Sequence, residues 1–306
     1  MNYLTIIALF ITTLLAQDVT PLPKKFKYDK SRAALGKKLF FDPILSIDST
    51  VACASCHFLP GGGADNKDFS KGVDGKVGTI NSPTVLNSRY NFVQFWDGRE
   101  KDLKAQAIVP IENPIEMANT MQNVVKTLKK DPNYKKEFNK VYKDGITAKN
   151  IADAIAEFES ALVTPNSPFD EYLRGNNDAI SAEAKEGYRL FKEYGCISCH
   201  NGVNVGGNMY QKVGIMLTYK SKHGNKGRYN ITKESKDLFY FKVPTLRNIE
   251  LTAPYFHDGQ IATLYTAIKD MAEHQLGIRI SDTNVKKIEL FLNTLTGETP
   301  EILKDK

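Results

Sequence analysis

The chain has 306 residues, enough for about two domains of ordinary size. With 42% hydrophobic and 25% charged residues it can bury a core, which excludes wholesale disorder. A net charge of +6 spread over the whole length excludes a dedicated nucleic-acid binder, and four cysteines are too few to staple a chain of this size.

Tyr3 to Ala16 is an apolar run of 14 residues without a charge. It is short of the about 20 that a bilayer-crossing helix needs and suits the apolar part of an export signal. Polar Gln17 and Asp18 follow, and Ala16 suits the position before a cut. No Lys or Arg precedes the run, and Leu14 is larger than the residue favoured two positions before cleavage, so an uncleaved anchor or a buried first helix stays open. The expectation is a signal over 1–16, export, and no later membrane span.

Further along come Gly36-Lys-Lys-Leu39-Phe40, then Cys53-Ala-Ser-Cys56-His57, then Pro83-Thr84-Val-Leu-Asn87 followed by Trp96-Asp97-Gly98. Ile151, Ile155, Phe158 and Leu162 recur at helical spacing, until Thr164-Pro165-Asn166-Ser167-Pro168 interrupts the pattern. That interruption divides the chain into 17–164 and 165–306. Ser181 caps a predicted helix reaching Tyr194, with Gly195 at its end.

The same landmarks then return in the same order: Gly187 to Phe191, Cys196-Ile-Ser-Cys199-His200, and Pro244 to Asn248 followed by His257-Asp258-Gly259. Their offsets are 151, 143 and then a constant 161. Ordered recurrence with loop insertions predicts two related domains. Val285, Ile288, Phe291, Leu292 and Leu295 mark a last amphipathic helix capped by Ser281. Strand-like alternation is scarce, so the expected fold is mostly α: two cytochrome c-like haem domains related by internal duplication, with long loops.

All four cysteines lie in the two Cys-x-x-Cys-His motifs. A zinc ribbon repeats its Cys pair within about 15–20 residues, and here more than a hundred intervene. A redox dithiol needs neither two copies nor a His after each pair. Both thiols of a pair can instead bond to the vinyl groups of one haem while the next His ligates the iron. The motifs therefore predict two covalently bound c-type haems, with iron ligands His57 and His200. For the sixth ligands, three further histidines exist (His223, His257, His274), and Met209, Met216 and Met271 follow the second motif. Phe58 through Tyr90 contains no His, Met or Cys, so the two centres are not equivalent.

From about Ala34 to Gly297 the chain resembles the bacterial diheme cytochrome c peroxidases, relatives of the diheme enzymes that mature the quinone of methylamine dehydrogenase. The resemblance rests on NSPTVLN at 81–87, QFWDGR at 94–99, DLKAQA at 102–107, PIEM at 114–117 and VPTLRNIELTAPYFHDG at 243–259. It implies a periplasmic enzyme that reduces hydrogen peroxide at the His57 haem, with electrons from a small cytochrome c or copper protein entering at the His200 haem. It assigns Met271 as that haem's second ligand, Met209 being the next choice and Met216 a core residue. Trp96 becomes the aromatic between the haems, and Gln106 and Glu116 occupy the peroxidatic pocket, with Glu116 moving the proton. A calcium ion is implied on the Asn81 side chain and the carbonyls of Thr252 and Pro254. His257 is expected near a haem propionate, His223 and His274 on the surface, and a homodimer as the assembly.

Two rival readings follow from the same motifs. A diheme oxidase of protein side chains carries Tyr where Met271 stands, and an electron-transfer cytochrome needs both irons closed. One departure from the family stands out. Many members place a His in the loop after the first haem, where this chain reads Phe69 to Gly78 with Val73 at about that position. Valine cannot ligate iron, and the neighbouring Lys71 and Lys76 would first have to lose a proton.

Overall fold

The computed structural model describes residues 19–304, so the apolar run and its cleavage point lie outside the described residues. Among the described residues no helix is long and apolar enough to cross a membrane. The first half contains α1 (Lys30–Phe41), α2 (Cys53–Cys56), α3 (Leu103–Glu112), α4 (Met121–Leu128), α5 (Pro132–Val141) and α6 (Ala148–Ala161). The second contains α7 (Pro168–Leu173), α8 (Ala182–Glu193), α9 (Tyr229–Thr232), α10 (Leu264–Met271), α11 (Asp282–Asn293) and α12 (Glu301–Lys304). Its one sheet pairs β1 (Tyr210–Lys212) with β2 (Tyr240–Lys242) antiparallel, Gln211 opposite Phe241.

The helices start where the sequence places cap oxygens. Asp29, Thr120, Asp131, Thr147, Ser167, Ser181, Thr263 and Ser281 each accept a first-turn backbone N–H. Gly195 ends α8 with φ 85°, a left-handed stop that suits glycine.

Each half is organised by one helix crossing, α1 on α6 and α8 on α11. A glycine sits at each crossing because nothing larger fits. A Cβ on Gly36 would stand 1.8 Å from the Ala154 carbonyl oxygen, and one on Gly187 would stand 1.9 Å from that of Lys287. Leu35, Leu39, Ile151 and Ile155 build the first core, and Tyr188, Phe191, Phe291 and Leu292 the second. The Pro-containing joint between the halves is pinned at its buried polar residues, Thr164 and Ser167, while Pro168 stays exposed. Thr164 is held by both motif asparagines, its Oγ1 accepting from Asn87 Nδ2 (2.8 Å) and Asn248 Nδ2 (3.0 Å).

Local conformations also repeat at the offset of 161. Asn87 and Asn248 have φ 59° and 60°, Phe95 and Phe256 have 66° and 69°, and the bridge Gln94–Glu100 matches Tyr255–Ile261.

Glu159 on α6 is 4% exposed, one of its oxygens has no partner, and burial pushes its pKa up to about 8. Such a carboxyl folds protonated. Stability is fullest below the free-glutamate pKa of about 4.3 and is lost as pH rises toward 8. Glu159→Gln is expected to flatten that loss and to raise stability at pH 8 by up to about 5 kcal/mol. Denaturant unfolding of both proteins at pH 5 and pH 8 measures the difference.

Candidate functional site

At the first centre the turn α2 carries both cysteines and delivers His57 at its end. His57 Nδ1 donates to the Gly63 carbonyl at 3.1 Å, which fixes the tautomer and leaves Nε2 as the metal-facing nitrogen. Burial raises the Cys53 thiol pKa, with the charge of Glu159 adding to it, and lowers that of His57. Burial of this kind makes a thiol a poor nucleophile for redox exchange.

Glu116 lies close enough to both cysteines to shift their pKa values. Its own carboxyl is raised, burial outweighing a 2.6 Å hydrogen bond donated by Asn113 Nδ2 to Oε1 and the charge of Arg99. Gln106, on α3, has a buried side-chain oxygen with no partner. The loop after the first motif presses on this segment. Val73 N–H donates to the Glu116 carbonyl at 2.9 Å, and a Cβ on Gly72 would stand 2.0 Å from the Ile115 carbonyl oxygen. Val73 itself is 1% exposed and packs in the first core with Met117 and Met121. Lys71 and Lys76 stay exposed, Lys76 beside Asp74 at 3.5 Å.

At the second centre the motif follows α8 in a 3-10 turn that begins after Gly195, and Cys196, Cys199 and His200 line a cavity of about 230 Å³. Burial pushes Cys196 up to about 11 and His200 down to about 4, the carbonyls of Val205 and Pro244 opposing the latter shift. Met271 lines the same cavity from the end of α10, where the chain passes into a π-helical turn (Ala272–Leu276). Such turns often occur where a helix must aim a functional side chain. Met209 and Met216 do not line it. Met216 is 58% exposed against Gly277, correcting its expected core position. His274 Nδ1 is 3.0 Å from the Leu217 carbonyl, and the exposed His223 packs edge-on against Phe69.

The halves meet around Trp96 and His257, whose ring centroids are 6.4 Å apart. Trp96 Nε1 donates to the Asn81 carbonyl at 2.9 Å, and Phe241 stacks on His257 at 4.2 Å. Asn81 N–H donates to the His257 carbonyl (2.9 Å), and Lys242 N–H donates to the Trp96 carbonyl (2.7 Å). Asn81, Thr252, Pro254, Trp96, His257 and Met271 all line the cavity of His200. Sequence reasoning missed Lys242 and Glu159, since an isolated lysine before Val-Pro-Thr and a glutamate on an amphipathic helix carry no local signal.

The residues fit haem. Each Cys pair with its His supplies sulfur and imidazole, and buried polar atoms in each half lack protein partners: Gln106 Oε1 in the first and His257 Nε2 in the second. Fold and site together define a protein with two haem centres. More particularly, the chain belongs to the di-haem cytochrome c peroxidase family. The family profile described as di-haem cytochrome c peroxidase matches residues 30–178. A cytochrome c551 peroxidase of Nitrosomonas europaea is 48% identical over 286 residues, 93% of this chain and 86% of that one. Its counterpart in Pseudomonas aeruginosa is 44% identical, covering 88% and 79%. The cytochrome c peroxidase of Escherichia coli is 45% identical over 95% of this chain, which spans 63% of that longer protein. A crystal structure of a MauG-like protein associated with microbial copper homeostasis shares the fold, with TM-score 0.81 at 24% identity over 95% and 96% of the two chains.

Proposed function

We propose that this chain is an exported, periplasmic diheme peroxidase that reduces hydrogen peroxide to water at the His57 centre and takes up electrons at the His200 centre. The observation that carries this reading is the inequality of the two centres. A methionine lines the second cavity beside His200, whereas a half-buried glutamate, Glu116, stands near the cysteines of the first and Val73 is packed into the core behind it.

The two halves are read as cytochrome c-like haem domains, 17–164 and 165–306, that arose by duplication. The glycine-centred crossings and the backbone conformations repeating 161 residues apart support this. Cys53 and Cys56 would hold one haem by thioether bonds, and Cys196 and Cys199 the other. Bound there, haem iron supplies peroxide binding and one-electron chemistry.

The chain's own residues do the rest. His57, its ring oriented by the Gly63 carbonyl, would ligate the first haem, and Glu116 would hold a proton for transfer between peroxide oxygens. Its Oε1 is engaged by Asn113, leaving Oε2 to carry the proton. Gln106, whose side-chain oxygen is buried without a partner, would offer an amide to the same pocket. At the second centre His200 and Met271 would hold the iron, and the aromatic contact of Trp96 with His257 would serve electron transfer between the halves. One calcium ion is assigned to the Asn81 side chain and the carbonyls of Thr252 and Pro254, an oxygen-only set suited to a hard cation. Asn81 Nδ2 donates to the Lys67 carbonyl at 2.9 Å, leaving Oδ1 as the ligand atom. The donor is a small cytochrome c or copper protein, and the assembly is a homodimer.

Peroxide consumption with reduced cytochrome c as the only donor tests the activity. No consumption, with both haems bound, would refute it. Val73 adds a second expected result, that the oxidised protein reacts with peroxide without prior reduction. Electron paramagnetic resonance should then show one high-spin and one low-spin haem. Two low-spin signals, with a lag abolished by pre-reduction, would mean that some ligand closes the first iron.

A further inference from the structure

Lys242 ends β2 at 6% exposure and lines the cavity of His200. Among the described residues its ammonium has no hydrogen-bond or ion-pair partner, and burial alone lowers its pKa to about 8. A buried lysine left without a counter-charge is expensive. Its backbone is held firmly, N–H on the Trp96 carbonyl at 2.7 Å, so the side chain is anchored at the junction of the two halves. A second buried polar atom lacks a partner in the same cavity: His257 Nε2 is unpaired, its ring held flat against Phe241 at 4.2 Å.

An unpaired lysine and an unpaired imidazole nitrogen, on residues that line one apolar cavity beside Trp96, define a place for an anion. The cavity already has the sulfur and imidazole groups that would hold a haem, and the anions a haem brings with it are its carboxylates. Resting on the two-haem reading above, we infer that Lys242 is the built-in counter-ion of a carboxylate of the His200 haem. It is a positioning residue: it orients that haem at the Trp96–His257 contact and favours the reduced state of its iron by keeping a positive charge nearby. The internal repeat sharpens the point. The position 161 residues earlier is Asn81, whose N–H meets the His257 carbonyl just as that of Lys242 meets the Trp96 carbonyl. Where the first half offers a neutral oxygen suited to recruiting a cation, the second carries its own.

The test is a spectroelectrochemical titration of the haem-loaded protein and of Lys242→Met, Lys242→Gln and Lys242→Arg, with haem content measured for each. The neutral variants should lower the reduced-to-oxidised ratio of the high-potential haem about tenfold or more at a fixed applied potential, about 59 mV for one electron. The arginine variant should restore most of it, because it keeps the charge. Glutamine covers the case in which methionine does not fold. Unchanged potentials in the neutral variants, or an equal loss in all three, would overturn the assignment in favour of a purely steric role. One haem per chain in the wild type would instead overturn the two-haem reading and this inference with it.

Discussion

Glu116→Gln is expected to retain both haems and their spectra while cutting peroxide turnover by roughly two orders of magnitude or more, the range of a lost positioned acid or base. The substitution keeps the shape and the acceptor oxygen that Asn113 engages, and removes only the ability to exchange a proton. The wild-type carboxyl is raised chiefly by burial, which places its proton exchange nearer neutral pH than that of an exposed glutamate. Steady-state peroxide reduction, alongside the rate of peroxide binding by stopped-flow absorbance, separates the two steps. Binding should survive and turnover should fall. Full turnover in the variant would show that water or another group moves the proton.

Met271→Ala is expected to abolish the high-potential couple. A thioether opposite imidazole stabilises ferrous haem, and alanine leaves the iron with His200 alone or with water. The reduced-to-oxidised ratio of that haem at a fixed potential should fall by roughly a hundredfold or more, each tenfold being about 59 mV for one electron. Electron uptake from a reduced cytochrome should slow in step, while peroxide still reaches the first centre. The cavity favours this assignment over its rivals, because Met271 lines it and Met209 and Met216 do not. An unchanged potential would return the ligand to one of those two.

Much of the architecture was legible before any coordinates. The caps at Ser181 and Ser281, the end of a helix at Gly195 and the helical run from Ile151 to Leu162 all follow from local rules. The spacing of Cys53, Cys56 and His57, and of their later counterparts, is itself a chemical statement, because two thiols and an imidazole at that interval match one haem. The joint at 164–168 reads as an interruption and is in fact a seam pinned at the buried Thr164 and Ser167. Proline and small polar residues break a helix equally well in either setting, and only the two asparagines that reach Thr164 from distant segments reveal which it is.

By itself the sequence determined the haem-binding motifs, the helical class and the repeating order of landmarks, since each depends on residues close together along the chain. Tertiary structure decided what depends on residues far apart. It set Val73 against Glu116, brought Met271 rather than Met216 to the cavity of His200, and exchanged backbone hydrogen bonds between Asn81 and His257 and between Lys242 and Trp96. It also determined that Glu159 and Lys242 are buried. The cost of removing a charge from water arises from every neighbour that excludes solvent, and those neighbours are gathered only by folding.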